Sequence, residues 1–350
     1  MSKPTRYREI EVGGKPRDLG RQLGEQARDE VRGFCEVALE RVNKTVNISS
    51  ERALDIARQS AVFAEKYRPD LVEELRGTAE SAGVTLDELM LLQVRNQFTS
   101  NKEGGCTSFA IQTSATASSV VAQTWDNDPV LDAFTIVLTR RPEGNPATMS
   151  CTQAGLISYM GFSETGIGAC VNTLPAPSRA VGVPHYFTLR ELFEANSLDE
   201  AVESVRRAHR AIPANIMLAT PNGPADLEVT IDEVHVLRPT DRRSITHTNH
   251  CVHPDLLPVN DTFPELIQSH ARKRRIDTLV SSTSGEMETL KHILSDHDGH
   301  PKSICRHVND DPVNGFWMTV FALIIEPSER CMHVTRGTPC NHPFETYKLV

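Results

Sequence analysis

The first hundred residues carry apolar side chains at intervals of three or four positions, which is the spacing of one face of an α-helix. The longest stripe begins after Pro16 and consists of Leu19, Leu23, Ala27, Val31, Phe34, Ala38 and Val42. Shorter stripes predict helices over 54–64 and 69–83, and Thr85 with Glu88 forms the pattern of a capping box that opens another. The N-terminal part is therefore expected to be built from helices.

From Cys106 onward, short runs rich in β-branched and apolar residues replace the helical spacing. These runs predict strands over 107–113, 120–125, 134–139, 159–162, 168–172, 215–219, 227–231 and 244–248, and a hairpin of 318–325 with 331–335. Helical patterns interrupt them at 187–208 and 265–280. Because the strands are grouped instead of alternating with helices, the pattern predicts an α+β fold with an antiparallel sheet.

The composition is that of an ordinary globular protein, with 39% hydrophobic and 24% charged residues. No change of composition marks a linker, so residues 1–350 are expected to form a single domain. Within it, 1–105 is expected to be mostly helical and 106–350 to be rich in sheet.

The net charge of the chain excludes two classes of partner. A net charge of −9 and a pI near 5.8 give no attraction to nucleic acid or to anionic lipid, so neither is expected as a partner. The basic run Arg272-Lys273-Arg274-Arg275 lies inside a helical pattern. It is interpreted as a solvated helix face.

The N-terminal residues are polar and no stretch reaches membrane-spanning length, so a cytoplasmic location is expected. In that reducing compartment most of the eight cysteines should be free thiols, and the absence of a C-x-x-C pair argues against a zinc ribbon. The histidine-rich segment 247–253 is interpreted as a strand whose side chains alternate between faces, and 296–301 as a surface loop. No metal is therefore expected, and no motif predicts a cofactor.

Serine and zinc hydrolase motifs are also missing, which leaves cysteine as the candidate nucleophile. Cys106 stands apart because it follows Gly104 and Gly105 where helical spacing gives way to strands. Further elements occur in order over 8–336: Pro16-Arg17-Asp18-Leu19-Gly20, Gly105-Cys106-Thr107-Ser108, Gln123-Thr124-Trp125-Asp126, Ala154-Gly155-Leu156-Ile157, Thr246-His247-Thr248-Asn249-His250-Cys251 and Ser303-Ile304-Cys305-Arg306. This ordered set resembles the isopenicillin-N acyltransferase (acyl-coenzyme A:6-aminopenicillanate acyltransferase) family of cysteine N-terminal-nucleophile (Ntn) hydrolases.

The resemblance implies an αββα sandwich and a precursor that cuts itself between Gly105 and Cys106. The benefit of such a cut follows from acid–base chemistry. A thiol attacks well only as thiolate, so it needs a base within reach. A free α-amine titrates at about 7.7–8.0 and a free thiol at about 8.5, so an N-terminal cysteine carries its own proton acceptor.

The resemblance also implies roles for other residues. Asp126 would hold and polarise the new α-ammonium group, and Asn249 would donate its side-chain amide to the oxyanion. Asn172 is a second candidate for the oxyanion. Arg306 would orient a carboxylate or the loop near the site, and Thr230 stands where the family has a serine that touches substrate.

Two departures separate the chain from the penicillin enzyme. Asn314-Gly315-Phe316-Trp317 replaces a Ser-Arg pair, and Thr230 replaces the serine. Both changes fall on substrate-contacting positions, so the chemistry is retained and penicillin is not expected as the substrate.

The leading hypothesis is a self-processing amidohydrolase that cleaves a small N-acyl amide through a Cys106 thioester, with its two fragments remaining associated. Acyl transfer to or from coenzyme A or an amine is the alternative, because the same intermediate serves it. A non-catalytic binding protein on the same fold is the alternative from another class.

Overall fold

The structure is a computed structural model that describes residues 4–43, 46–98, 105–113, 118–240, 243–265, 268–312 and 315–350. The predicted motif residues Gly104 and Asn314 lie outside these ranges. The described helices are α1 (Pro16–Gln26), α2 (Arg28–Val42), α3 (Ser50–Tyr67), α4 (Pro69–Ala82), α5 (Leu86–Val94), α6 (His185–Leu192), α7 (Leu198–Arg206), α8 (Ser269–Ser281) and α9 (Met287–Leu294). None of them is long and apolar enough to cross a membrane.

The strands form two sheets. They are β1 (Arg8–Gly14), β2 (Gly105–Gln112), β3 (Ser119–Asn127), β4 (Thr135–Pro142), β5 (Thr148–Gln153), β6 (Met160–Ser163), β7 (Gly168–Thr173), β8 (Ala214–Thr220), β9 (Gly223–Val229), β10 (Val234–Leu237), β11 (Ser244–His247), β12 (Met318–Glu326), β13 (Cys331–Thr335) and β14 (Phe344–Lys348). One sheet has the order β1-β4-β5-β6-β7-β8-β9-β10 and the other the order β11-β2-β3-β12-β13-β14. All neighbouring strands are antiparallel except β1 and β4.

The sheets pack face to face between two layers of helices. Strands β2 and β3 contact β7, β8 and β9 of the other sheet. The N-terminal helices share the largest apolar core with the eight-stranded sheet, whereas α8 and α9 cover the outer face of the six-stranded sheet. This four-layer αββα arrangement confirms the predicted fold class.

The side chains of β2 alternate between the space between the sheets and the α8 layer, because successive residues of a strand point to opposite faces. The inner face carries Cys106 and Ser108, and the Ser108 hydroxyl reaches Asn172 of β7 at 2.7 Å. The outer face carries Thr107 and Phe109, which contact the α8 layer. Alternation along β2 therefore aims the candidate nucleophile at the space between the sheets.

The N-terminal part differs from the prediction in two places. The stripe expected to form one helix is divided into α1 and α2 at Ala27, a residue with no helix-breaking chemistry of its own. The segment before α1 forms β1, in which Ile10 and Val12 are buried between exposed glutamates and pair in parallel with β4. Two apolar positions make the two-residue repeat too short to identify from sequence.

Gly20 in the first matched motif serves helix packing. Helices α1 and α4 approach so closely that a Cβ added at Gly20 would lie 1.8 Å from the Glu74 backbone oxygen, and one at Gly77 would lie 2.2 Å from that of Arg17. Only glycine permits this separation of the two backbones. The contact joins α1 and α4 closely within the helical layer.

Candidate active site

Cys106 is the second residue of β2 and lies opposite Trp125 of β3. Its side chain is 2% exposed and lines a pocket between the sheets whose enclosed volume is about 60 Å³. The bond to Gly105 stands at the very start of the strand, directly before this buried sulfur. The thiol and the bond that is predicted to be cut therefore lie at the same end of a central strand.

The backbone of Cys106 is held by two buried side chains. Its N–H donates to Asn249 Oδ1 at 3.0 Å, and its carbonyl oxygen accepts from Arg272 Nη1 at 2.6 Å. Arg272 Nη2 also donates to Asn249 Oδ1 at 2.7 Å, and Asn249 Nδ2 donates to the Thr173 carbonyl at 3.0 Å. The Asn249 amide therefore has a defined orientation, with its oxygen toward the nitrogen that cleavage would liberate.

Asn249 lies just after β11, in a segment tied to the other sheet by a buried glutamate. Glu228 of β9 accepts from His247 Nε2 at 2.8 Å and from the backbone N–H groups of Val252 and His253 at 2.6 and 2.9 Å. His247 is thus a buried hydrogen-bond partner of a carboxylate, and Cys251 is a member of a small apolar cluster. These hydrogen bonds hold the segment in place, and the segment in turn positions Asn249.

Asp126 lies on the outer face of the same sheet, next to Arg272. Its Oδ1 accepts from the Thr319 hydroxyl at 2.7 Å, whereas Oδ2 is buried without a hydrogen-bond partner among the described residues. Burial raises the pKa of Asp126 to about 6, although the charge of Arg272, the Thr319 hydrogen bond and the charge of Arg306 act in the opposite direction. The uncut chain therefore holds a buried carboxylate whose charge is only partly compensated.

The thiol is similarly disfavoured as an anion. Burial and the neighbouring Asp126 raise the pKa of Cys106 to about 12, and the charge of Arg272 opposes this. At neutral pH the uncut chain therefore contains very little thiolate. Rapid attack by the thiol thus needs a base. The α-amine of Cys106, which would act as this base, does not exist before the bond is cut.

Asn172 shares the pocket with Cys106. Its Oδ1 accepts from Ser108, while its Nδ2 is buried without a hydrogen-bond partner among the described residues. The pocket wall contains the apolar side chains of Trp125, Tyr159, Val171, Leu174 and Ile212 and the polar side chains of Arg95, Asn96, Asn127 and His185. An amide donor with no partner among the described residues thus lies in the pocket that Cys106 lines, whose wall is both apolar and polar.

Two other predicted residues lie farther from the sulfur. Arg306 is buried, and its backbone N–H donates to the Thr319 hydroxyl at 2.9 Å, so it contacts Asp126 through Thr319. Thr230 lies in the turn after β9, where its hydroxyl accepts from the backbone of Glu233 at 2.9 Å. The structure does not bring Thr230 to the pocket, because its side chain is used to close this turn.

Arg272 is the residue that the sequence interpretation missed. The basic run was expected to be a solvated face, and that expectation is wrong for Arg272, which is fully buried, whereas Arg274 is exposed. Arg272 precedes the buried Ile276 and Val280 at intervals of four. This helical spacing is the signal that separates it from its neighbours.

The substitution Asp126→Asn tests the uncompensated carboxylate. In the Cys106→Ala background, which keeps the Gly105–Cys106 bond, a folded-state pKa of about 6 against an ordinary 3.8 makes ionisation costly. The folded chain therefore loses stability as pH rises from about 4 to 6. We expect Asp126→Asn to abolish this loss. In urea unfolding, the change in the free energy of unfolding from pH 4 to pH 7 should then be about 3 kcal/mol more favourable than in the Cys106→Ala parent. An exposed control, Asp261→Asn, should leave the pH dependence of stability unchanged. An Asp126→Asn variant that still loses stability between pH 4 and 6 would contradict the raised pKa of Asp126.

The four-layer fold, with a buried cysteine near the start of a central strand, defines the class of cysteine Ntn hydrolases. The chain belongs to the acyl-coenzyme A:6-aminopenicillanic acid acyl-transferase family, whose model matches residues 113–341. It is 27% identical over 342 residues to the acyl-coenzyme A:6-aminopenicillanic-acid-acyltransferase 40 kDa form of Emericella nidulans, covering 96% of this chain and 94% of that protein. The chain is thus an enzyme of the hydrolase and acyltransferase class, as the motifs predicted.

Solved structures with related chains are more distant. A mutant conjugated bile acid hydrolase from Clostridium perfringens is 11% identical with a TM-score of 0.45, covering 70% of this chain and 97% of that one. A penicillin V acylase from Agrobacterium tumefaciens is 12% identical with a TM-score of 0.44, covering 65% of this chain and 82% of that one.

Proposed function

We propose that the protein activates itself by cutting the bond between Gly105 and Cys106 and then uses Cys106 to hydrolyse a small N-acyl amide. The observation that carries this proposal is the setting of Cys106. Its side chain lines a pocket with apolar and polar walls, while Asn249 and Arg272 bind its backbone nitrogen and oxygen directly after the scissile bond.

Self-cleavage transfers an acyl group within the chain. The Cys106 sulfur attacks the Gly105 carbonyl carbon, a C–S bond forms and the C–N bond breaks. The thiol proton moves to the departing nitrogen, which becomes the α-amine of Cys106. Water then hydrolyses the thioester, which gives a carboxylate on Gly105 and regenerates the thiol.

Asp126 gains a further positive charge beside it in this step, in addition to that of Arg272. Gly105 is the residue paired with Asp126 across β2 and β3, so cleavage frees the position opposite the carboxylate. The new α-ammonium forms beside Asn249 Oδ1, which already accepts from the same nitrogen. A positive charge there stabilises ionised Asp126, and Asp126 in turn orients the amine.

The matured site repeats the chemistry on an external amide. Cys106 attacks the substrate carbonyl, the α-amine carries the thiol proton to the leaving amine, and water releases the acyl group as a carboxylate. We assign oxyanion stabilisation to Nδ2 of Asn172, which has no hydrogen-bond partner among the described residues, and to the second N–H of Asn249 Nδ2, whose first N–H donates to Thr173. Donors of this kind contribute about 3–4 kcal/mol of transition-state stabilisation each.

Two features support lasting association of the fragments 1–105 and 106–350 as a single domain. Strand β1 of the first fragment pairs along its whole length with β4 of the second. Glu74 of α4 forms buried ion pairs with Arg140 of β4 and Arg190 of α6 at 2.7 and 3.0 Å. We propose that this enzyme works in the cytoplasm, which the eight free cysteines support.

Acyl transfer is the second candidate, and the family supports it. The matching family and the curated relative are named for acyl-coenzyme A and 6-aminopenicillanic acid. In this case the thiol of coenzyme A or an amine attacks the same Cys106 thioester in place of water. The apolar wall formed by Trp125, Val171 and Ile212 favours an acyl group with an apolar body in either reaction.

A panel of N-acyl amides tests the proposal. We expect matured protein, mixed rapidly with a reactive substrate and quenched in acid, to show the mass of one acyl group on the peptide that begins with Cys106. Hydrolysis predicts release of this acyl group without coenzyme A, whereas transfer predicts release that depends on added coenzyme A or amine. Failure to acylate Cys106 with any member of the panel would favour the non-catalytic binding protein.

A further inference from the structure

A cluster of two cysteines and two histidines lies at the edge of the molecule, away from the pocket. His297, Cys305, His307 and Cys340 each offer one ligand atom, and these four atoms lie within 4.8 Å of one another. Cys305 is buried, His307 and Cys340 are partly buried, and His297 is exposed. From these contacts we infer that the protein binds a zinc ion with a Cys₂His₂ ligand set.

The distances agree with a shared central cation. Zinc binds cysteine sulfur at about 2.3 Å and histidine nitrogen at about 2.0–2.1 Å, so tetrahedral ligand atoms lie about 3.3–3.8 Å apart. His307 Nε2 is 3.6 Å from Cys305 Sγ and 3.3 Å from Cys340 Sγ. Both distances fall in the range that a tetrahedral metal ion at the centre of the group requires.

The donor chemistry selects zinc. Two sulfur and two nitrogen donors in a tetrahedral set are typical of structural zinc sites, and two thiolates neutralise a divalent cation. Zinc binding releases the two thiol protons to solvent and changes no oxidation state. The neighbouring carboxylate of Asp296 is already paired with Arg275 at 3.0 and 2.6 Å.

The surrounding loops hold these ligands in place. The Cys305 N–H donates to the Asp296 carbonyl at 2.9 Å, which closes the loop that carries His297. The Ser295 hydroxyl donates to the Pro339 carbonyl at 3.1 Å, which joins this loop to the segment before Cys340. The cluster therefore cross-links the loop after α9 to the segment between β13 and β14.

The position of this cross-link connects it to the candidate active site. Arg306 lies between the ligands Cys305 and His307, and its backbone N–H binds the Thr319 hydroxyl that contacts Asp126. The zinc ion thus fixes the segment whose Arg306 N–H binds Thr319 of β12, and the Thr319 hydroxyl contacts Asp126. The metal site does not depend on the proposed reaction, although its loss should slow that reaction.

Metal analysis of the full chain tests the site. Protein prepared without a histidine tag and without chelator should contain about one zinc ion per chain, measured by inductively coupled plasma (elemental) mass spectrometry. Cys340→Ser and His307→Ala should each weaken zinc binding by about 100-fold or more, while Cys35→Ser, a control in α2, should not. Cobalt in place of zinc should give the visible absorption of a tetrahedral thiolate site, and Cys340→Ser should remove it.

Three results would overturn the inference. The first is wild-type protein that contains no zinc and does not take it up when supplied. The second is a disulfide between Cys305 and Cys340, detected as two missing thiols under denaturing conditions. The third is zinc binding that is unchanged in both Cys340→Ser and His307→Ala, which would place the metal elsewhere.

Discussion

Cys106→Ala is expected to yield one intact, folded and inactive chain, whereas the wild-type protein should separate into 1–105 and 106–350 under denaturing conditions. The substitution removes the only atom that attacks both the Gly105 carbonyl and the substrate in the proposed mechanism. Residual turnover should fall by about 10⁴-fold or more, because the remaining groups stabilise charge but form no acyl intermediate. Intact mass and N-terminal sequencing check the cut, and turnover of the best amide checks activity.

The control is Cys151→Ala, which removes another fully buried thiol from β5 of the other sheet. It should process and turn over like wild type, apart from the small stability cost of a core cavity. Cleavage at the same bond in Cys106→Ala would show that another protease makes the cut. An intact wild-type chain with full activity would exclude the α-amine as the proton carrier.

The nucleophile region could be predicted because its signals are local in sequence. Cys106 follows two glycines at a change of periodicity, and Asp126 stands one strand later, so antiparallel pairing brings the two ends together. The motif predicted that Asn249 belongs to the same site as Cys106, but it did not predict the orientation of the amide. The observed contact from Cys106 N to Asn249 Oδ1 depends on Glu228 and Arg272, which come from a different strand and a helix.

Other parts of the structure depend on long-range contacts that have no local pattern. The ligands of the proposed zinc site are separated by 7, 1 and 32 residues along the chain, so no familiar spacing reveals them. The expectation that 296–301 is a surface loop came from its glycine and proline, and the expectation that no metal is bound came from the alternating faces of 247–253 and the missing C-x-x-C pair. The edge strand β1 was missed for a similar reason, since its pairing partner β4 lies beyond five helices.

Arg272→Met is expected to slow self-cleavage by about 10²-fold or more, comparable with the loss of a preorganised donor in an active site. Arg272 is buried and donates to Cys106 O and Asn249 Oδ1 at 2.6 and 2.7 Å. Its removal releases the backbone of Cys106 and leaves Asp126 without its nearest cation. The pKa of the Cys106 thiol should then rise further, because the charge of Arg272 lowers it.

Refolding of denatured, uncut precursor with a time course on gels measures this rate, and thermal unfolding confirms that the variant folds. Arg272→Lys should recover only part of the rate, because lysine keeps the charge but lacks the planar fork that reaches two acceptors. The matched control is Arg274→Met, which removes the same charge from an exposed position of the same helix. If folded Arg272→Met cleaves itself as fast as Arg274→Met, Arg272 has no positioning role in the reaction.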